Sequence, residues 1–419
     1  MKFKIKNRHF ILFALILIIV FRFSGLIEIA VLFYSFVRSL FVDLPGTITL
    51  VDFSLADNFI SLILIIISAV YLILRRKSGR LLHKELSFTS SVIFVLFIFF
   101  IFAPVISTSD PDFQNNIGIS KLRPPFSSVK LIYLNADIGN ENFGNLKSKR
   151  LNENLVYIDS LKNTNGKFYY YQNGNEYPAG EEKYLYSDNQ PLVKSRVFIL
   201  GTDEFGRDVF SRLIYGTRIS MMVGLGAVIV AFILGIGLGF LSAHSGWISD
   251  TLLNRFTDMF LSFPLIFFII LILAFFGNSV FTIILVLGFS GWMSLFKIVR
   301  SEVIAIRQKD YFITAAMIGL PGWKLLTRET IPVIIAPVIV NLVFLYGNVI
   351  LAEAALSYLG LGTGLNYPSW GAMIESGQEY LSQAWWMIFF PGLALVLTLF
   401  SANNLGRILN RYYNPRISE

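Results

Sequence analysis

The chain has 419 residues, of which 55% are hydrophobic and 15% charged, with mean hydropathy +0.64. A soluble domain carries nearer a quarter charged residues, so this balance excludes a soluble globular protein. The net charge of +8 is read as lysine and arginine collecting on cytoplasmic loops, not as a nucleic-acid surface.

The apolar residues come in continuous blocks, long enough to cross a bilayer at about 20 residues per helix. They do not alternate as barrel strands do, so the fold class is an all-α polytopic membrane protein. There is no cysteine, which excludes disulfides, thiol nucleophiles and cysteine-ligated metal. His9, His83 and His244 are far apart in sequence and make no metal site.

In chain order, about eight spans are expected. The first, about 9–34, is interrupted by Arg22, Ser24 and Gly25 and reads as an uncleaved segment that is tilted, broken or interfacial. Blocks at about 57–75 and 88–106 follow, then four at about 218–242, 253–275, 279–299 and 332–353, and a last at about 385–408. Basic residues fix one alternating topology. Lys2, Lys4, Lys6 and Arg8 place the N-terminus in the cytoplasm, and Arg75, Arg76, Lys77, Arg80 and Lys84 place the second loop there. Arg300, Arg307, Lys309, Lys324 and Arg328 do the same for a later loop, and Arg407, Arg411 and Arg416 for the C-terminus. The stretch 354–384 has no lysine or arginine and fits the outside.

The polar stretch of about 107–217 then also lies outside. Within it, Lys167–Tyr177 places Asn173-Gly174 between aromatic residues, a hairpin signal. A small, partly β extracytoplasmic insertion is expected here.

Leu200–Ser220 reads as an amphipathic helix on the outer membrane surface. Thr202 is placed to cap it, and Asp203 and Glu204 suit its positive end. Phe205, Val209, Phe210, Leu213 and Ile214 fall on one face, and Asp203/Arg207 and Asp208/Arg212 stand four residues apart.

The same stretch resembles the dipeptide/oligopeptide ABC importer permease family, in its second, C-type branch. The ordered pattern is Leu200, Gly201, Thr202 and Asp203, then Gly206, Arg207 and Asp208, then Ser211 and Arg212, then Gly216 and Arg218. Glu353–Gly362, Pro368–Ile374 and Phe390–Leu399 resemble the family's closing region. The resemblance covers roughly 85–125 and 198–416. It implies a type I ABC importer-like permease core of six helices. About two extra N-terminal spans (1–80) and an enlarged extracytoplasmic loop (108–200) are added to it. The first core span lies at 85–107, and 201–419 is the rest of the core.

The segment Asp310–Pro332 separates two spans with a charged, glycine- and proline-broken turn. Gly319 is placed to end one helix and Pro321 to begin another, and Trp323 offers an anchoring aromatic. The family resemblance implies that this is a cytoplasmic coupling loop (300–331) which docks on an ATPase. The residues carried over are Thr314, Ala315, Ala316, Gly319, Trp323 and Pro332, with Pro332 starting the next span. The family's alanine pair falls on Thr314 and Ala315, while Ala315 and Ala316 sit one position late. The family's preceding glutamate is Ile313 here.

No phosphate-binding loop is present, and Gly235–Gly239 (GIGLG) reads as helix-packing glycine. The chain is therefore not expected to be an enzyme or to bind a cofactor. The resemblance implies ATP and Mg used by two partner ATPases, a homologous permease subunit, most simply as a heterodimer, and an extracytoplasmic solute-binding protein. Glu353 and Asp258 are read as snorkelling or capping acids near span ends rather than as a proton relay.

The expectation is a multi-pass permease subunit of the bacterial cytoplasmic (inner) membrane. Both termini would be inside, and it would move peptides or similar small solutes. Nickel or peptide-antibiotic uptake, an ion-coupled secondary transporter and a membrane anchor are the alternatives. The family's acidic residue after the last Leu-Gly is replaced by Arg407.

Overall fold

A computed structural model of the chain describes residues 7–42, 45, 47, 53–74, 87–134, 143–151, 154–164, 167–180, 184–187, 190–244, 246–362 and 368–413. Lys2, Lys4, Lys6, Arg75, Arg76, Lys77, Arg80, Lys84 and Arg416, used above for orientation, lie outside the described residues.

The helices are α1 (Asn7–Val42), α2 (Phe53–Leu74), α3 (Phe88–Ile106), α4 (Phe143–Arg150), α5 (Val209–His244), α6 (Trp247–Ser262) and α7 (Leu265–Phe276). They continue with α8 (Val280–Arg307), α9 (Asp310–Met317), α10 (Gly322–Tyr358), α11 (Trp370–Gly377) and α12 (Trp386–Tyr413). Among the described residues, six helices are long and apolar enough to cross a membrane; α6 and α7 add a seventh if they count as one bent span.

The expected continuous span at 253–275 is corrected. α6 and α7 meet at 88°, broken at Phe263-Pro264. A residue before proline is pushed out of the helical region, and Phe263 is extended (φ −93°, ψ 135°). Helix α1 runs beyond its expected end to Val42 and departs from helical geometry at Arg22 (φ −128°, ψ 20°).

The chain divides into two compact units. The first holds residues 1–218 and 368–393, and the second 219–367 and 394–419. In the first unit, Ile18 and Ile29 of α1 pack with Ile101, Phe102 and Val105 of α3. Pro104 lies inside α3 and has no N–H, so the Phe100 carbonyl loses its helical donor. Arg218 Nε fills that vacancy at 2.5 Å.

The segment between α3 and α5 carries the strands. β1 (Ser127–Tyr133) lies between β2 (Leu155–Ile158) and β8 (Val193–Phe198). A second antiparallel sheet has the order β3 (Ser160–Thr164), β4 (Lys167–Gln172), β5 (Asn175–Pro178), and β6 (Tyr186–Ser187) pairs with β7 (Gln190–Pro191). The expected hairpin is there: Asn173 (φ +52°) and Gly174 (φ +81°) turn β4 into β5, and Gln172 pairs with Asn175. Two consecutive positive φ values define the turn that matches strand twist.

In the second unit, α5, α8 and α10 pack closely. A Cβ on Gly235 would lie 2.8 Å from Leu295, and one on Gly239 2.8 Å from Val299, so these glycines serve helix packing as expected. Trp292 and Phe296 are fully buried beside Ala231. Asp250 receives both Arg300 Nε and Nη2 at 2.6 Å, tying α6 to α8.

Candidate functional site

Two segments concentrate the residues singled out above. The first is Leu200–Arg218. The expected surface helix is not there: α5 starts only at Val209, and residues 200–208 form a turn closed by a bridge between Thr202 and Asp208. Thr202 caps no helix. Its Oγ1 donates to the Ser120 carbonyl (2.5 Å) and accepts from Arg123 N–H (2.8 Å), while Trp386 Nε1 donates to the Thr202 carbonyl (3.0 Å). Gly201 has φ +81°, and a Cβ there would sit 2.6 Å from the Arg123 carbonyl oxygen and 2.8 Å from Trp386. Gly206 also has a positive φ, +75°.

Asp203 is the hub of the turn. Its Oδ1 accepts from the backbone N–H of Phe205 (3.0 Å) and Arg207 (2.8 Å), and its Oδ2 from Arg207 Nε (2.6 Å). Arg212 does not pair along a helix with Asp208. It turns to Asp112 (2.8 Å), with Asp203 at 3.6 Å. Asp208 caps α5 instead, accepting from the N–H of Phe210 and Ser211, from Ser211 Oγ (2.7 Å) and from Thr108 Oγ1. Ser211 Oγ in turn accepts the N–H of Thr108 and Ser109, both at 3.1 Å. Gly216 lets the chain pass close to Trp370, and Trp370 Nε1 donates to the Leu213 carbonyl (3.3 Å). Arg218, 3% exposed, is bound by Asp57, Ser61 and the carbonyls of Phe100 and Ile101. Burial pushes the Glu204 carboxyl above the ordinary range, with Asp203 adding to the shift. These charged residues are a buried clasp, not a membrane-surface face. Asp57, Asp112 and the carbonyl freed by Pro104 were absent from the sequence reading, and a proline inside a predicted span was the signal available.

The second segment is 308–332. Lys309 precedes α9, and Gly319 (φ +81°) ends it. Gly319 N–H donates to the Ala316 carbonyl (3.1 Å) and Leu320 N–H to that of Ala315 (3.3 Å). This pair of bonds satisfies the carbonyls at a helix end and requires a left-handed residue between them. Pro321 then precedes the next helix as expected.

Pro332 stands in the first turn of the regular α-helical stretch Ile331–Tyr358, as expected, but that stretch continues an earlier helical turn. α10 begins at Gly322 and passes through a π-turn at Leu325–Thr330, where Ile331 N–H donates to the Leu326 carbonyl. Pro332 lacks an N–H for the carbonyl four residues back, and the wider turn sits where that bond is missing.

The faces of this segment are sharply divided. Phe312 packs inward with Val303, Ile306 and Ile334. Ala315 also points inward and is buried. Thr314, Ala316, Gly319 and Pro332 are exposed, and a Cβ on Gly319 would meet nothing within 4 Å. Beside them Met317, Ile318 and Trp323 are 82%, 74% and 65% exposed, with Lys324 Nζ 5.6 Å from the Trp323 ring centre. Exposed single apolar residues are ordinary, but three large ones around one turn form a patch.

The two acids weighed earlier separate. Asp258 is a half-exposed partner of Lys297. Glu353 is not snorkelling: it is 1% exposed, accepts from Ser357 Oγ (2.9 Å) and has Ser220 Oγ at 3.5 Å. Among the described residues no cluster of acids and histidines suits a metal ion.

Residues 235–419 match the family model described as binding-protein-dependent transport system inner membrane component. A putative peptide transport system permease protein of Brucella suis biovar 1 (strain 1330) is 35% identical over 221 residues, 52% of this chain and 74% of that protein. The dipeptide transport system permease protein DppC of Alkalihalophilus pseudofirmus is 34% identical over 217 residues, covering 52% and 71%. The oligopeptide transport system permease protein OppC of Haemophilus influenzae is 34% identical over 216 residues, covering 52% and 70%. With the membrane-length helices and the ordered Leu200–Arg218 pattern, these matches make the chain a multi-pass inner membrane protein that belongs to the family of binding-protein-dependent transport system inner membrane components.

Proposed function

We propose that this chain is the permease subunit of an ATP-binding-cassette importer for peptides, and that residues 308–332 are its socket for a cytoplasmic ATPase. The observation that carries the reading is the exposed patch Met317, Ile318 and Trp323 around the Gly319 turn, in a segment otherwise anchored by Phe312 and Ala315. Large apolar side chains on a rigid turn are what a partner groove binds. The relatives named for peptide, dipeptide and oligopeptide transport support the substrate class.

In this reading the partners are a homologous permease subunit, two ATPases that use ATP and Mg, and an extracytoplasmic solute-binding protein. The chain itself performs no catalysis and binds no nucleotide. Closure of the ATPases moves the α9 turn, and the attached helices switch between outward-open and inward-open arrangements. The turn then faces the cytoplasm together with both termini.

The test is uptake of a labelled dipeptide by the complex reconstituted in proteoliposomes, with Met317→Asp and Trp323→Ala as variants. Loss of ATPase subunits and of ATP-driven uptake, with the chain inserted normally, is the expected result. Uptake that persists without ATPases and follows an ion gradient overturns the reading.

A further inference from the structure

Two stretches lie outside the family resemblance: residues 1–80 and about 126–197. They are distant in sequence, yet both reach the Ile106 end of α3. There a polar cavity of about 440 Å³ opens. Its wall takes Arg22 and Glu28 from α1, Arg150 from α4, Lys194 from β8, and Thr108 and Asp110 from the turn after α3. A cavity of this size accommodates a small organic molecule.

The wall is held by arginines bonded to the last carbonyls of α3. Arg22 Nη2 donates to the Ile106 carbonyl at 2.7 Å, and Arg150 Nη2 to that of Pro104. A helix C-terminus draws cations in this way. Arg150 also meets Asn58 (3.3 Å) and Glu28 (3.5 Å), so one side chain of the 126–197 stretch reaches α1, α2 and α3 together. Phe143 and Leu146 of α4 seal this contact against Leu32 and Phe36 of α1 and Leu55 and Phe59 of α2.

Cations outnumber acids along the wall itself. Arg150 pairs with Glu28; Arg22 bonds the neutral Ile106 carbonyl and feels Asp208 and Glu28 only at longer range; Lys194 lies 5.2 Å from the Tyr133 ring centre. Asp110 accepts the N–H of Asp112. Three cations face two acids on the wall, Asp208 stands behind Thr108, and hydroxyls and amides supply further donors.

We infer that the two additions together build a binding site for a small anion carrying a carboxylate or phosphate group, held by Arg22 and Lys194. The anion would also meet Thr108, whose Oγ1 bonds the Asp208 cap of α5. Occupancy would thereby stiffen the clasp at the start of that helix. The inference concerns binding to this chain alone and stands apart from peptide transport.

The experiment is titration calorimetry on the full chain in phosphatidylcholine nanodiscs, with succinate and inorganic phosphate as probes. A parallel arm replaces part of the lipid with phosphatidylglycerol and reads thermal stability. Lys194 is exposed, so Lys194→Gln should fold normally. Expected is saturable binding in one arm, weakened about ten-fold or more by Lys194→Gln, the loss of a charge-assisted bond, and strengthened by Glu28→Gln. A response confined to the phosphatidylglycerol arm identifies the anion as a lipid headgroup; a response to the soluble probes identifies a free solute. The absence of binding in every arm, or binding indifferent to Lys194→Gln, overturns the inference.

Discussion

The clasp at Leu200–Arg218 and the turn at Asp310–Pro332 invert what their compositions suggest. The clasp is crowded with charge, yet Asp203, Arg207, Asp208, Arg212 and Arg218 are all buried. The turn is apolar at its tip, yet Met317, Ile318 and Trp323 are exposed. Charge turned inward and fully bonded makes a scaffold, because removing one partner strands another. Apolar surface left outside a turn is free for a partner, the role proposed for this one. Substitutions in the first segment should therefore damage folding, and those in the second should damage assembly while the chain stays folded.

The largest effect expected is from Arg218→Met. It strands Asp57 and the Phe100 carbonyl, which Pro104 has already deprived of a helical donor. Breaking a buried pair on one side costs about 3–5 kcal/mol. The thermal midpoint of the purified chain should fall steeply and membrane yield with it. Asp57→Asn tests the same pair from the other side. A normal midpoint for Arg218→Met would make the clasp ornamental and dissolve the comparison.

Such a result could not have been foreseen from spacing alone. Length and hydropathy made six of the about eight expected spans legible among the described residues, because a bilayer demands the same of every crossing; the block at 57–75 gives only a shorter apolar helix, Leu55–Ser68, by the same measure. The Gly319 and Asn173-Gly174 turns were legible because a positive φ is a local demand. The clasp was misread for a definite reason. Asp203 and Arg207 are four residues apart, which suits a helix, but an aspartate that accepts its neighbours' N–H groups in a turn gives the same spacing. What decides between them is Asp112, Ser120 and Trp386, all distant in sequence. The 88° break at Phe263-Pro264 was written in the sequence, but the apolar run around it concealed it. The inward direction of Ala315 depends on which face of α9 meets Phe312's neighbours, and no pattern of eight residues fixes that.

Next in size come the docking substitutions. Trp323→Ala should leave the stability of the isolated chain within about 0.5 kcal/mol of wild type, read from its thermal unfolding. ATPase retention in a pull-down should weaken more than about ten-fold, as for a central aromatic anchor. If retention falls only in step with stability, the patch is scaffold and the two segments are alike.

Gly319→Ala falls between the two classes. Space for the methyl group is open, so the whole cost is the left-handed backbone, about 1–2 kcal/mol. The midpoint should drop modestly and ATPase retention with it, since the turn that presents Met317 and Trp323 loosens. Gly322→Ala, also in open space but without a positive φ, is the control and should change neither.

The smallest effect is a test of sign. Glu204 is pushed upward mainly by burial, and its Oε1 accepts from Arg207 at 3.3 Å. A raised carboxyl binds its proton more tightly in the folded chain than in the unfolded one. Acidification therefore favours the folded state through this group, and that advantage is lost as pH rises toward neutral. Glu204→Gln keeps an acceptor for Arg207 and removes the charge. The variant should be at least as stable as wild type at about pH 7, with the gap closing toward about pH 5. Thermal midpoints at the two pH values read this directly. The opposite sign, a variant weaker at neutral pH and equal in acid, would mean that Glu204 contributes as a charge partner of Arg207. The 3.3 Å contact with Arg207 would then outweigh the cost of burying the charge.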